Sequence, residues 1–329
     1  MKKALFVGCL VFLIAGCGEK PRSTAVNPES PSETAQLSKE SAESAPSSSD
    51  AQNQIELLNA GAEPRQQLRF TPPANAKQTA QLTMAMDMEM TVGGQTQRKL
   101  KSPPIQLTME SQVTKVDANG DAHVNFSYSD ANVVANGNIP PEVADAMRSQ
   151  LQKLVGVGGS MVVDTQGNTK QVDLNLPDTL DPNTKQMVAQ MAGSLKQISS
   201  PVPVEAVGVG AKWQVPTSVM TNGMTVNQTA TYELVDLKDN VATMQVSIKQ
   251  QADAQKIAPP GLPADASMDL KSLDTQGNGK VTRALNQIMP ISSTVAVRSN
   301  TEMSVKEPGS QKETTMGMNT AMELTLESK

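Results

Sequence analysis

Aromatic residues are nearly missing from this chain of 329 residues: four Phe, two Tyr and one Trp. Histidine occurs once, at His123, and both cysteines, Cys9 and Cys17, lie near the N-terminus. The body therefore has no thiol, which excludes disulfides, Cys-ligated zinc and a Cys nucleophile. A lone histidine cannot form a His-based metal site, and a Ser-His-Asp triad would have to recruit His123 without a GxSxG elbow. His123 alternates with Val124 and Phe126, so it faces the wet side of its strand. Basic charge is also short: the net charge is -5, and loss of Lys2 and Lys3 would make it more acidic. An acidic surface argues against nucleic acid as a partner and against electrostatic docking on anionic lipid. No catalytic group, metal ligand set or cofactor motif emerges, and we expect a non-enzymatic protein without a cofactor.

What is abundant is methionine, with 19 residues. The run QLTMAMDMEMTV places Leu82, Met84, Met86, Met88, Met90 and Val92 on one face, with Thr83, Asp87 and Glu89 on the other. TMGMNTAMELTLE repeats the pattern with Met316, Met318, Met322, Leu324 and Leu326. Period two over such lengths specifies half-buried strand. Val124, Phe126 and Tyr128 continue the alternation, as do Val226, Ala230, Tyr232, Val295, Val297 and Met303. Turn signals separate the strands at Gly93-Gly94, Asn119-Gly120 and Asn222-Gly223. DANGD (Asp117 to Asp121) reads as such a turn, because its glycine sits at the fourth position and not the sixth that a calcium loop requires. The MxMxM spacing of Met84 to Met90 also fits soft-metal binding. Same-face residues on one strand lie roughly 6.5 to 7 Å apart, too far for neighbouring sulfurs to converge, so no metal is expected there.

Two segments have helical spacing instead. IPPEVADAMRSQLQKLVG aligns Val143, Met147, Leu151 and Leu154, with prolines at its start and Gly156 at its end. DPNTKQMVAQMAGSLKQIS aligns Met187, Met191, Leu195 and Ile198, with Asp181 as N-cap. A third, shorter helix is expected over IELLNAG, Ile55 to Gly61.

The pentapeptide DTQGN occurs at Asp164 to Asn168 and again at Asp274 to Asn278. Upstream of each lie Val-Asp (Val116-Asp117, Val235-Asp236) and a proline pair (Pro140-Pro141, Pro259-Pro260), both at an offset of 119. We read an internal duplication with a DTQGN turn in each copy. The expected fold is mainly β (α+β): a curved antiparallel sheet or half-barrel built from two duplicated halves, about 68–205 and 206–329. Two amphipathic helices from the first half cover its concave face. Residues 61–329 form this single domain.

The N-terminus reads MKKALFVGCLVFLIAGC: two lysines, an apolar run too short for a permanent span, then IAGC. This closely resembles the lipobox of bacterial lipoproteins. The resemblance implies a signal peptide over 1–16 and acyl chains on Cys17, which anchor the chain to a membrane without spanning it. The absence of Asp after Cys17 implies the outer membrane, facing the periplasm. Residues 17–60, rich in Ser and Pro, would form a tether of roughly 35 Å that is too polar to fold. The body resembles, at the level of architecture, the half-barrel carriers of lipoprotein localisation, which hold acyl chains. VGVGAKWQVP (Val207 to Pro216) resembles more closely a family of bacterial lipoproteins with no assigned activity, in which a Gly-x-x-Trp segment opens the second half of the domain. Trp213 is then a structural anchor. The expected function is a lipid-anchored envelope lipoprotein that binds an apolar ligand or lipid. Its candidate lining is Met84, Met86, Met88, Met90, Met147, Met187 and Met191. The alternative is an envelope scaffold that holds another envelope protein without a small-molecule ligand.

Overall fold

In the computed structural model the two long alternating runs of the sequence lie in strands of 16 residues, Lys77–Val92 and Glu313–Ser328. The structure describes residues 55–134, 139–177, 185, 200–221, 224–257, 267–306 and 313–329. All of them lie in the compact unit Asn53–Lys329. The first part comprises β1 (Glu56–Asn59), β2 (Gln66–Gln67), β3 (Lys77–Val92), β4 (Gln95–Lys101), β5 (Ile105–Val116), β6 (Ala122–Val133), α1 (Pro141–Leu151), β7 (Gly158–Val163) and β8 (Thr169–Asn175). The second comprises β9 (Ala206–Val207), β10 (Lys212–Thr221), β11 (Met224–Lys238), β12 (Val241–Ala252), β13 (Gln255–Ile257), β14 (Ser267–Ala284), β15 (Ser292–Lys306) and β16 (Glu313–Ser328).

Fourteen strands form one antiparallel sheet in the order β1-β10-β11-β12-β14-β15-β16-β3-β5-β6-β7-β8. β4 adds to β3 and β13 to β14, while β2 and β9 pair separately. The path is open, with β1 at one end and β8 at the other. The last strand joins the parts: β16 pairs with β3 from Met316↔Val92 to Ser328↔Ala80. Because directly opposed residues share a face, register fixes which side chains meet. One rung runs Trp213, Tyr232, Val246, Gly279, Val295, Leu324 and on to Met84 and Ile105. We call this the inner face, since the buried clusters lie on it.

The largest cluster centres on Trp213, which is fully buried. Its ring stacks on Tyr232 at 5.6 Å, and its Nε1–H donates to the Pro201 carbonyl at 2.9 Å. Two irregular segments are stitched in here. Phe70 N–H donates to Thr165 O at 2.8 Å, and Val202 N–H to Gln166 O at 2.9 Å. The Arg69 guanidinium donates to Pro203 O at 3.0 Å and Val204 O at 2.7 Å. The β7–β8 turn is thereby tied to the core of β10, β11, β12 and β14, far from it in strand order. Burial of a large apolar side chain contributes about 1.5 to 3 kcal/mol each, so this cluster is a main anchor of the fold.

Several expectations are corrected. Ile55 to Gly61 is not a helix: Glu56–Asn59 is strand, because Leu57 sits opposite Trp213 and packs with Ile55 on its cluster. Apart from the single residue Lys185, α1 is the one α-helix among the described residues. The second expected helix, over 181–199, lies outside the described residues apart from Lys185, which is helical. On α1 the stripe is shifted: Met147 and Ala144 are buried, but Val143 is 46% exposed. The turn at Asn222-Gly223 also lies outside the described residues.

The two DTQGN copies differ. The first is a turn between β7 and β8: Asp164 Oδ1 accepts from Gln166 N–H and Asn168 N–H, both at 2.9 Å, and Gly167 has φ +87°. The second is not a turn but the middle of β14, paired on both sides from Asp274↔Gln251 to Asn278↔Ser247 and from Asp274↔Asn300 to Asn278↔Ala296. Ladder bonds to two long neighbours outweigh the local turn preference. Equivalent halves therefore do not appear in the strand pattern, where β7, turn and β8 in one part correspond to a single strand in the other. The hairpins do correspond, since β6 (Ala122–Val133) and β12 (Val241–Ala252) match end to end at the offset of 119.

This contrast predicts the effect of adding one methyl group. Gly167→Ala places a Cβ 2.7 Å from Phe70 Cε2 on a left-handed backbone, whereas Gly277→Ala, on an extended backbone, meets Val297 Cγ2 at 3.0 Å, Ala296 O at 3.2 Å and Ile248 Cβ at 3.5 Å. Urea unfolding should show Gly167→Ala destabilised by about 2 kcal/mol or more and Gly277→Ala by less than about 1. Equal losses would contradict the two-conformation assignment.

Candidate functional site

The inner face is sealed at its flanks and half-covered in its middle. Towards β10–β12 it lies under the Trp213 cluster. Towards β5 and β6 it packs with Ile105, Leu107, Tyr128, Ala131, Leu154 and Val157. Between these, on β15, β16 and β3, inner-face side chains are mostly neither buried nor exposed. Met86, Met88 and Met90 belong to this middle zone, while Met84, also half-buried, packs against the Ile105 cluster at its edge. Across β16, Met86 faces Met322, Met90 faces Met318, Met84 faces Leu324 and Met88 faces Thr320. Opposed Cβ atoms lie about 4.5 to 5.5 Å apart, so methionines that are distant along β3 acquire close partners across strands. Unbranched thioether side chains on such a surface adapt to varied apolar shapes.

Met147 is buried on α1, which packs on β6 through Arg148 Nε–H donating to Asn132 Oδ1 at 3.0 Å. It is part of the core and not of the half-covered zone. Met187 and Met191, like Cys17, lie outside the described residues. Sequence reasoning left Met316, Met318, Met322, Val295 and Val297 out of the site, although their period-two pattern was visible. The missing information was that β16 pairs with β3.

One charged side chain reaches the inner face of strands β10 to β3 among the described residues: Arg283, near one end of β14, opposite Ala242. It is 6% exposed, and its guanidinium lies 4.2 Å from the Phe70 ring centre. Nη2–H donates to Ile288 O at 2.6 Å. Burial pulls its pKa down to about 10, so it remains a cation at neutral pH. Gln78 Oε1 accepts from Ile288 N–H at 2.9 Å and Met289 N–H at 3.0 Å, which fixes the same loop. Arg283 thus serves the loop after β14 and not the methionine zone.

His123 is half-buried on β6, and its Nε2 lies 2.7 Å from Asp117 Oδ2, whose other oxygen takes Lys115 Nζ at 2.5 Å. This is a hairpin-end ion cluster around the Asp117–Asp121 turn, closed by Asp117 N–H to Asp121 O at 2.9 Å. No group of three or more His, Cys, Asp or Glu suited to a metal occurs among the described residues. A surface cleft of about 330 Å³ is lined by Glu63, Arg65, Leu237 and Asp239, an exposed loop setting of mixed charge.

The sequence profile of DUF6263, a family of unknown function, matches residues 185–276. That stretch holds Trp213, β9 to β13 and the first half of β14. No curated protein matches the chain. Among solved structures, the outer membrane protein OprG from Pseudomonas aeruginosa is similar at 6% identity and a TM-score of 0.22, covering 79% of this chain and 99% of that one. The toluene transporter TodX from P. putida is similar at 9% identity and a TM-score of 0.14, covering 78% and 90%. Likeness at this level supports neither a shared fold nor a shared function.

The Asp117 cluster gives a pH prediction. Lys115, then His123, hold the Asp117 carboxyl below its ordinary value. A carboxylate depressed in the folded state contributes stability above its unfolded pKa of about 3.9, and that contribution is lost as pH falls through the folded pKa. Asp117→Asn should therefore lower stability slightly at pH 6 and make the acid limb below pH ~4 less steep. An unchanged acid limb in thermal melts would contradict this.

Proposed function

We propose that this chain is a lipid-anchored envelope lipoprotein whose body holds an apolar ligand on the half-covered middle of its inner face. The observation that carries the reading is the register of β3 on β16, which sets a patch of uncharged, half-buried methionines between two sealed flanks. Apolar pockets with few polar groups are the usual form of small-molecule sites. The other face of the same strands presents Lys77, Asp87, Arg298 and Glu323 to solvent. That is a water-facing wall, since a lipid-facing one would carry an apolar band there. The anchor rests on IAGC and on acylation of Cys17, with the body facing the periplasm from the outer membrane. The matching hairpins β5–β6 and β11–β12 support descent by duplication, with the DTQGN segments since diverged.

The full chain should leave its native cell with an acylated Cys17, read as mass on the N-terminal peptide, and with apolar small molecules detectable by native mass spectrometry. Met322→Lys, a cation placed among the methionines, should empty it of ligand without unfolding it. Absence of any bound apolar molecule, together with one dominant protein partner on crosslinking, would overturn ligand binding in favour of a scaffold.

A further inference from the structure

One inner-face rung breaks the apolar pattern. Thr217, Gln228, Gln250, Thr275, Ser299 and Thr320 stand opposite one another in turn across six strands, ending at Met88. The neighbouring rung on one side runs Val215, Ala230, Ile248, Gly277, Val297 and Met322, and on the other Leu273, Thr301 and Met318. The polar rung is internally wired. Thr275 Oγ1–H donates to Ser299 Oγ at 2.7 Å, Gln250 Nε2–H to Gln228 Oε1 at 2.6 Å, and Gln228 Nε2–H to Thr217 Oγ1 at 3.5 Å. Polar groups set among apolar ones are costly unless bonded, and this wiring meets most of the need. Ser299, having accepted from Thr275, keeps its own O–H to donate. Thr320 stands directly opposite with a second hydroxyl, and both are half-buried in the methionine zone.

We propose that this rung selects the ligand: an uncharged, ester-linked acyl lipid of the glyceride class, with its ester carbonyl on Ser299 and Thr320 and its chain along the apolar rungs. The inference rests on the apolar-ligand reading above. Three features commit it to this occupant. The donors are neutral hydroxyls, matched to a carbonyl acceptor. No cation lies in the rung to neutralise a phosphate or carboxylate, and a bare anion there would be strongly disfavoured. From the polar rung the inner face continues through the Val297, Val295 and Ser293 rungs, roughly 20 Å of strand at about 6.5 to 7 Å per same-face step. That span matches the length of an extended acyl chain.

Displacement of the uncharged fluorophore diphenylhexatriene from the full-length chain tests this. Monoolein should displace it at a concentration at least tenfold lower than hexadecane or oleate. Ser299→Ala with Thr320→Val should erase the monoolein advantage and leave hexadecane unchanged. Ser299→Ala alone, should the pair fail to fold, should reduce it severalfold. Equal displacement by all three probes, preference for oleate, or retention of the monoolein advantage in folded variants would overturn the ester-lipid assignment while leaving apolar binding intact. No uptake of diphenylhexatriene and no displacement would overturn both readings.

Discussion

Register is the constraint on which the rest of this molecule depends. A strand slipped by one residue sends its entire apolar set to the opposite face. Here the antiparallel ladders from β10 to β3 keep inner positions aligned strand after strand. β16 on β3 is held in continuous pairing without a bulge from one end to the other. Shifts such as those between Leu234 and Asp236, or between Leu270 and Ser272, fall near strand ends, where the inner face has already met a buried cluster. The outcome is a surface with apolar and polar rungs in fixed order, set by residue parity within each strand and by register between strands.

Packing then divides that surface. Trp213, Tyr232 and the stitched segments around Phe70 and Val202 fill one flank, while α1 and the turn after it, through Leu154 and Val157, fill the other. A polypeptide so poor in aromatics spends three of its few, Phe70, Trp213 and Tyr232, at one junction. The buried guanidinium of Arg283 is accepted there because an aromatic face and a carbonyl replace part of its lost hydration. The middle strands receive methionine instead, a side chain that fills space without fixing a single shape.

Much of this was legible from the residues. Alternation at Leu82 to Val92 and at Met316 to Leu326 specified strands, Pro141 began the helix, and Gly93-Gly94 and Asn119-Gly120 marked turns. Trp213 was readable as an anchor from the resemblance carried by VGVGAKWQVP, and it is fully buried. Pairing between distant strands was not legible, because nothing local in Met322 points to Met86. DTQGN shows the limit most plainly: five identical residues form a turn at Asp164 and a strand at Asp274, decided by the neighbours on either side. Ile55 to Gly61 failed for the same reason, since a partner strand beside Trp213 overrode weak helical preference.

The claim at the centre is that the methionine zone is a reachable, occupiable surface and not a sealed core. Oxidation by dilute peroxide, followed residue by residue as sulfoxide formation, addresses it directly, because thioether oxidation requires access. Met86, Met318 and Met322 should oxidise in the ligand-free chain and be protected by an added apolar ligand, while Met244, at 1% exposure, should stay inert in both states. Three methionines as inert as Met244 in the free chain would show a closed interior and contradict the account.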